Sequence, residues 1–257
     1  MPVVTLLEKV YPPFSPPIFQ DLFTSLCEGL KVDARVVGRT RRGWLQVEIS
    51  GEDEVAAVNF LDERIGLAPV YVYRLERFST MKGRILFSKQ SKEGLCVDVG
   101  ISSPRLIDAR VGLRRLQAQL ADGKKIPLRR LTELFCLHEH FPLEVKLLSD
   151  PESERRYVTA KLSEEQYYRF AEWIRSSLDR LIVLGATFSE VQKAIERSKH
   201  NRDVVKVEPL ALLEHAVECK LGTDAVGLIP KLGPFLSPAT LTTFSPREIT
   251  RLVTRPF

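Results

Sequence analysis

Lys82-Gly83-Arg84-Ile85-Leu86-Phe87, followed after a polar turn by Gly94-Leu95-Cys96-Val97-Asp98-Val99-Gly100, is the stretch from which the fold of this chain is read. Apolar residues recur through both runs, and Lys89-Gln90-Ser91-Lys92-Glu93 lies between them. That pattern predicts two antiparallel strands, over 82–88 and 94–100. Residues 82–130 hold twelve Lys or Arg against four Asp or Glu, a local balance of +8. The 257-residue chain carries only +5, so the remainder sums to −3. A strand pair with a basic surface is the electrostatic footprint of a phosphate backbone.

Working outward towards the C-terminus, Pro104 ends the strand run and Leu113–Leu120 reads as a short helix. Ala121-Asp122-Gly123-Lys124-Lys125 is a turn, Leu128–Phe135 a second helix and Leu143–Leu148 a closing strand. Residues 105–130 then form a basic insertion, and Asp150-Pro151-Glu152-Ser153-Glu154 a boundary loop. Beyond it, Tyr157–Leu162 is predicted as a strand, and Ser163-Glu164-Glu165 as the cap and first turn of a helix running to about Asp179. A helix over Ser189–Lys199, strands over Asp203–Val207 and Leu213–Lys220, a helix over Asp224–Leu232 and a strand over Ala239–Phe244 follow.

Towards the N-terminus, the order is strand (Val3–Val10), helix (Ile18–Leu30), strand (Val32–Arg39), strand (Trp44–Ile49) and helix (about 52–65). The expected class is therefore α+β, in three small units. Residues 1–77 form an N-terminal α+β sandwich domain. Residues 78–150 form a small closed barrel with a basic insertion, and 151–257 a C-terminal α+β sandwich domain.

Composition sets limits. No apolar run approaches the roughly 18 residues a membrane helix needs. The N-terminal residues lack a basic leader and a small-residue cleavage site, so they read as a first strand. Cys27, Cys96, Cys136 and Cys219 are far apart and make no two-residue-gap pair, which predicts reduced structural thiols and a cytoplasmic protein.

Gly83 on the first strand, with Gly94, Val97 and Asp98 on the second, resembles the OB-type RNA-binding barrel of ribosomal protein S-one and its relatives. The resemblance covers about 70 residues. It departs where that family presents aromatics for base stacking, since Leu95 and Cys96 stand there; Phe78 and Phe87 are the aromatics nearby. The whole chain also resembles an archaeal family known as a conserved domain of unknown function. That second resemblance rests on Gly94–Gly100, on Leu116–Gly123 and on Cys219–Lys231. It implies an archaeal source and carries no catalytic residues with it.

The function expected is RNA binding without catalysis, in association with the translation or transcription machinery. Lys82, Arg84, Lys89, Lys92, Arg105, Arg110, Arg114, Arg115, Lys124, Lys125, Arg129 and Arg130 are the candidate phosphate contacts. The adjacent arginine pairs suit bidentate contact with phosphate oxygens. Arg41, Arg42 and Trp44, at a hairpin tip, are a second candidate contact, although Trp44 equally suits a core position. Structured RNA, in a ribosome or RNA polymerase setting, is the expected partner; no membrane, small molecule, cofactor or metal ion is. Cys136-Leu137-His138-Glu139-His140 invites a zinc reading, but too few ligands stand nearby. Gly222-Thr223-Asp224 invites a phosphate reading, but Asp224 suits a helix cap better. Catalytic residues are not identified, because phosphate-loop, nucleophile-elbow and metal-helix motifs are missing from the sequence. The alternatives are an adaptor that docks its basic face on an acidic subunit, and a metal-dependent nuclease or RNA-modifying enzyme using Asp98, Asp108 and Asp122.

Overall fold

The computed structural model describes residues 2–10, 16–86, 93–151 and 156–253. The chain divides into two compact units, one of residues 1–75 and 99–107, the other of 76–98 and 108–257. The fold is mixed α+β, with a closed five-stranded barrel and two further sheets.

The first unit opens with β1 (Val3–Lys9), α1 (Pro16–Leu26), β2 (Val32–Arg39), β3 (Trp44–Gly51) and α2 (Glu54–Arg64), in the order expected. The three strands form an antiparallel sheet, β1-β3-β2. Its inner face buries Leu45, Val47 and Ile49, at the period-two spacing of a half-buried strand. Phe19 and Phe23 on α1 and Ala57 and Leu61 on α2 are also fully buried, each pair one turn apart. The Gln20 side chain donates to the Ala34 carbonyl (2.7 Å) and accepts from the Val36 amide (2.9 Å), tying α1 to the edge strand β2. β4 (Val70–Tyr71) pairs in parallel with Ile101 and Ser103.

The barrel is built from β5 (Thr80–Leu86), β6 (Gly94–Ser103), β7 (Ile107–Gly112), β8 (Pro142–Leu147) and β9 (Tyr157–Leu162). Two helices, α3 (Leu113–Leu120) and α4 (Leu128–Leu134), lie between β7 and β8 in the chain. Neighbours around the barrel are β6-β5-β8-β9-β7, and β7 returns to β6 to close the ring. β7 and β9 run parallel, with Asp108 opposite Tyr157 and Arg110 opposite Thr159. Ile85, Val97, Val99, Val111, Val145, Val158 and Ala160 have no exposed surface. Gly83 is what lets β5 and β6 approach so closely. A Cβ there would sit 2.5 Å from the Asp98 carbonyl oxygen and 2.7 Å from a Val97 methyl.

Besides the two-residue β4, three strands depart from the sequence expectation. β7 lies inside the stretch read as an insertion, because Pro104 separates two strands rather than ending the sheet. β9 belongs to the barrel and not to a third unit, since it pairs with β7 and β8 and closes the ring. The third is β10 (Arg180–Leu184), which follows α5 (Glu164–Arg175). All five of its residues are buried, and Leu181–Leu184 is the continuous apolar run of a central strand, with no alternation to reveal it.

After β10 come α6 (Phe188–Arg197), β11 (Val204–Pro209), β12 (Glu214–Cys219), α7 (Ala225–Leu232), β13 (Thr240–Phe244) and α8 (Pro246–Leu252). The strands form an antiparallel sheet, β11-β12-β10-β13. On one face Leu181, Val183 and Val217 pack with Val191, Ile195, Leu228 and Leu232 of α6 and α7. Ser163 caps α5 by accepting from the Gln166 amide, as expected. Thr187 and Glu190 form a reciprocal capping box on α6.

Two contacts weld this sheet to the barrel inside the second unit. Phe170 of α5 packs against Phe135 and Phe141, which flank the loop into β8, and against Trp173 and Phe244, at centroid distances of 5.4 to 6.5 Å. Arg84 on β5 meets Glu214 on β12 at 3.1 Å, with side-chain exposures of 2% and 0%. Asp98, opposite Arg84 on β6, is 1% exposed.

Replacing Arg84 with Met leaves Glu214 and Asp98 buried without that cation. A broken buried pair costs about 3–5 kcal/mol, so Arg84→Met is expected to destabilise by that order in urea unfolding. Adding Glu214→Leu should restore part of the loss. Two glycine variants report on packing alone. Gly83→Ala should cost about 1–3 kcal/mol through overpacking. Gly227→Ala, at a helical position with nothing within 4 Å, should be neutral or stabilise by up to about 1 kcal/mol.

Candidate nucleic-acid interface

β7 delivers the basic stretch to the surface. Ile107, Ala109 and Val111 point into the barrel, so the alternation turns Asp108 and Arg110 outward. The Arg110 guanidinium lies 5.2 Å over the Tyr157 ring of β9 and is 2.7 Å from a Glu93 carboxylate oxygen. The chain then passes directly into α3. Leu116 and Leu120 bury one side of that helix, and Arg114 and Arg115 are left exposed. The Gln119 side-chain amide donates to the Leu162 carbonyl (3.1 Å) and accepts from the Leu162 backbone amide (3.0 Å), which fixes α3 to the end of β9.

Lys124 and Lys125 follow on an exposed turn, where Lys124 donates to the Leu252 carbonyl at 3.0 Å. On α4, Arg129 pairs with Glu133 at 3.0 Å, and Arg130 pairs with Glu133 (3.4 Å) and Glu248 of α8 (3.0 Å). Lys82, Arg114, Arg115 and Lys125 make no ion pair among the described residues. The pairs that do form are partly exposed, and exposed pairs are worth about 0–1 kcal/mol, so an incoming phosphate can exchange for a carboxylate at little cost. Together Arg110, Arg114, Arg115, Lys124, Lys125, Arg129 and Arg130 form a cationic tract along β7, α3 and α4.

Several expected contacts lie elsewhere. Arg84 is in the interior, neutralised by Glu214, and cannot present its guanidinium to a ligand. Trp44 is 2% exposed and carries the Lys9 ammonium 4.8 Å over its ring, so it belongs to the core and not to a stacking surface. Its hairpin neighbours Arg41 and Arg42 are exposed and half-buried, and both belong to the first unit. Arg105 is half-buried and is also part of that unit. Lys89, Lys92 and Phe87 lie outside the described residues. Phe78 is 56% exposed, with the Arg77 guanidinium 4.6 Å over its ring. Tyr157 is absent from the expected contacts, because its strand reads in sequence as part of another unit.

A polar cleft of about 330 Å³ lies beside the tract, lined by Arg130, Glu133, His138, Thr242, Ser245 and Glu248 among others. His138 Nε2 lies 3.1 Å from the Thr242 hydroxyl, which donates to the Cys136 sulfur at 3.8 Å. Burial pushes the Cys136 thiol up to about 12, against the opposing Thr242 hydrogen bond, so it stays protonated and unreactive. Burial also lowers the His138 pKa. His215, packed against Phe188, is pushed down to about 4 by burial, as suits a neutral core histidine. Asp224 accepts from the Val226 amide at 3.0 Å and caps α7, the helix-cap reading of that loop. Among the described residues no group of three or more His, Cys, Asp or Glu side chains is placed to hold a metal ion. No helix among them is long and apolar enough to cross a membrane.

Residues 178–244 match the DUF2110 C-terminal domain, a family of unknown function. The matched span runs from β10 to β13 and so takes in the whole four-stranded sheet with α6 and α7. No curated protein matches the chain. The sheet whose Glu214 pairs with Arg84 thus lies within the matched span, and the cationic tract lies outside it.

Proposed function

We propose that this chain is a non-enzymatic RNA-binding protein working with the translation or transcription machinery. In this reading the barrel is of the OB type, similar to the module of ribosomal protein S-one. The observation that carries the proposal is the ring order of the barrel. Numbered along the chain, its strands neighbour one another as 1-2-3-5-4, the third and fifth run parallel, and the helices fall between the third and fourth. Barrels of this kind take oligonucleotides on the face of strands two and three and on the flanking loops. Here the third strand carries Arg110 over Tyr157, and Arg114 and Arg115 follow at its end.

The arginines and lysines of the tract grip phosphates, and guanidinium forks match phosphate oxygens two at a time. Arg110 and Tyr157 offer a planar surface to one base. Backbone charge carries most of the affinity, which suits a folded RNA. The adaptor alternative differs in its salt dependence, because phosphate binding releases condensed counterions and pairing with an acidic protein surface does not.

The test is binding of structured RNA to the full chain across a salt series. The logarithm of the affinity should fall linearly with log salt. The double substitution Arg114→Glu with Arg115→Glu should weaken binding at least about tenfold and make the slope shallower by roughly 0.7–0.9 for each phosphate no longer neutralised. RNA incubated with the protein and Mg²⁺ or Mn²⁺ should stay intact. An affinity unchanged between low and physiological salt, or no RNA bound at micromolar protein, overturns the proposal.

A further inference from the structure

The first unit exposes an aromatic pair that its fold leaves open. After Tyr71-Val72-Tyr73-Arg74, Leu75 is buried and its amide donates to the Val72 carbonyl at 3.0 Å, closing a tight turn. That turn sets the two tyrosines side by side, with ring centroids 5.3 Å apart and planes within 16°. Tyr71 is 46% and Tyr73 72% exposed. The Arg74 guanidinium lies 5.8 Å from the Tyr73 ring centre. Tyr71 pairs in register with Ser103, and Arg105 follows two residues later.

Two parallel rings open to solvent are a stack that a third planar group can extend. Every nucleobase has such a face, and arginine beside the rings supplies charge for the adjoining phosphate. A protein partner would instead call for a contiguous apolar patch. The other large apolar side chains exposed on described residues of this unit are the separate valines Val3, Val37 and Val55. We infer that Tyr71 and Tyr73, with Arg74, form a stacking platform for an unpaired nucleotide of a single-stranded RNA segment. This rests on the RNA-binding reading above and adds a second site in the first unit.

The experiment is fluorescence anisotropy of a short labelled oligouridine, and of a labelled RNA duplex, with the full chain and its variants. Base stacking on an aromatic is worth about 5- to 150-fold per base. Tyr73→Ala should weaken oligouridine binding within that range while duplex binding and the salt slope stay as they are. Tyr73→Phe should bind like the wild type, since it keeps the ring. Thermal melting should show both variants folded, as the side chain is exposed. Oligouridine bound equally by Tyr73→Ala and wild type overturns the platform. So does equal weakening by Phe and Ala, which would assign the effect to the hydroxyl. Wild type that binds the duplex but not oligouridine overturns the platform and leaves the RNA-binding proposal standing. Wild type that binds neither overturns both.

Discussion

Arg84 is a cation sealed inside the second unit, between Asp98 on the neighbouring barrel strand and Glu214 on the C-terminal sheet. Moving such a group out of water costs several kcal/mol, and its attraction to carboxylates repays that only when the geometry is held. The rest of the unit holds it. Gly83, next to Arg84, lets β5 and β6 approach closely enough for Arg84 and Asp98 to face each other. The aromatic group around Phe170 fixes α5 and β13 against the loop that leads into β8. A second buried pair, Arg180 with Glu218 at 2.7 Å, sits in the same sheet under Trp173.

This arrangement decides which cations reach solvent. β5 turns Arg84 towards the C-terminal sheet, and β6 turns Asp98 the same way. β7 alternates, so Asp108 and Arg110 turn away from the barrel interior. The positive charge therefore gathers on β7, α3 and α4, where three arginines lie beside carboxylates and two stand free of ion pairs among the described residues. For the proposed RNA complex this means clamping along one flank of the barrel. The cleft beside it, with its protonated Cys136 and a His138 whose pKa burial lowers, supplies a polar wall and no activated thiol.

Much of this is legible in the sequence, and the failures have physical causes. The first unit's strand and helix order, the barrel glycines, α3, and the Ser163 and Asp224 caps follow from periodicity and turn chemistry, which are local. β7 alternates cleanly through Ile107, Ala109 and Val111, but its charged residues give the stretch the look of a surface insertion. β9 is visible as a strand, yet its partners are set by a ring closure that no local pattern encodes. β10 has no alternation, because both of its faces are buried. Arg84 looks like a surface cation in sequence because its partner, Glu214, lies in another sheet far along the chain. Trp44 looks like a stacking residue because the second burial layer, under Lys9, comes from a different strand. Tyr71 and Tyr73 carry no expectation, since exposure cannot be read from residue type.

In the proposed complex, RNA is held along β7, α3 and α4. Photo-crosslinking of a 4-thiouridine-substituted structured RNA to the full chain, followed by peptide mapping, distinguishes that flank from the rest of the molecule. Crosslinked peptides are expected within residues 105–130 and around Tyr157. Crosslinks concentrated on residues 80–86 or on the sheet of residues 180–244, or none at all, would contradict it.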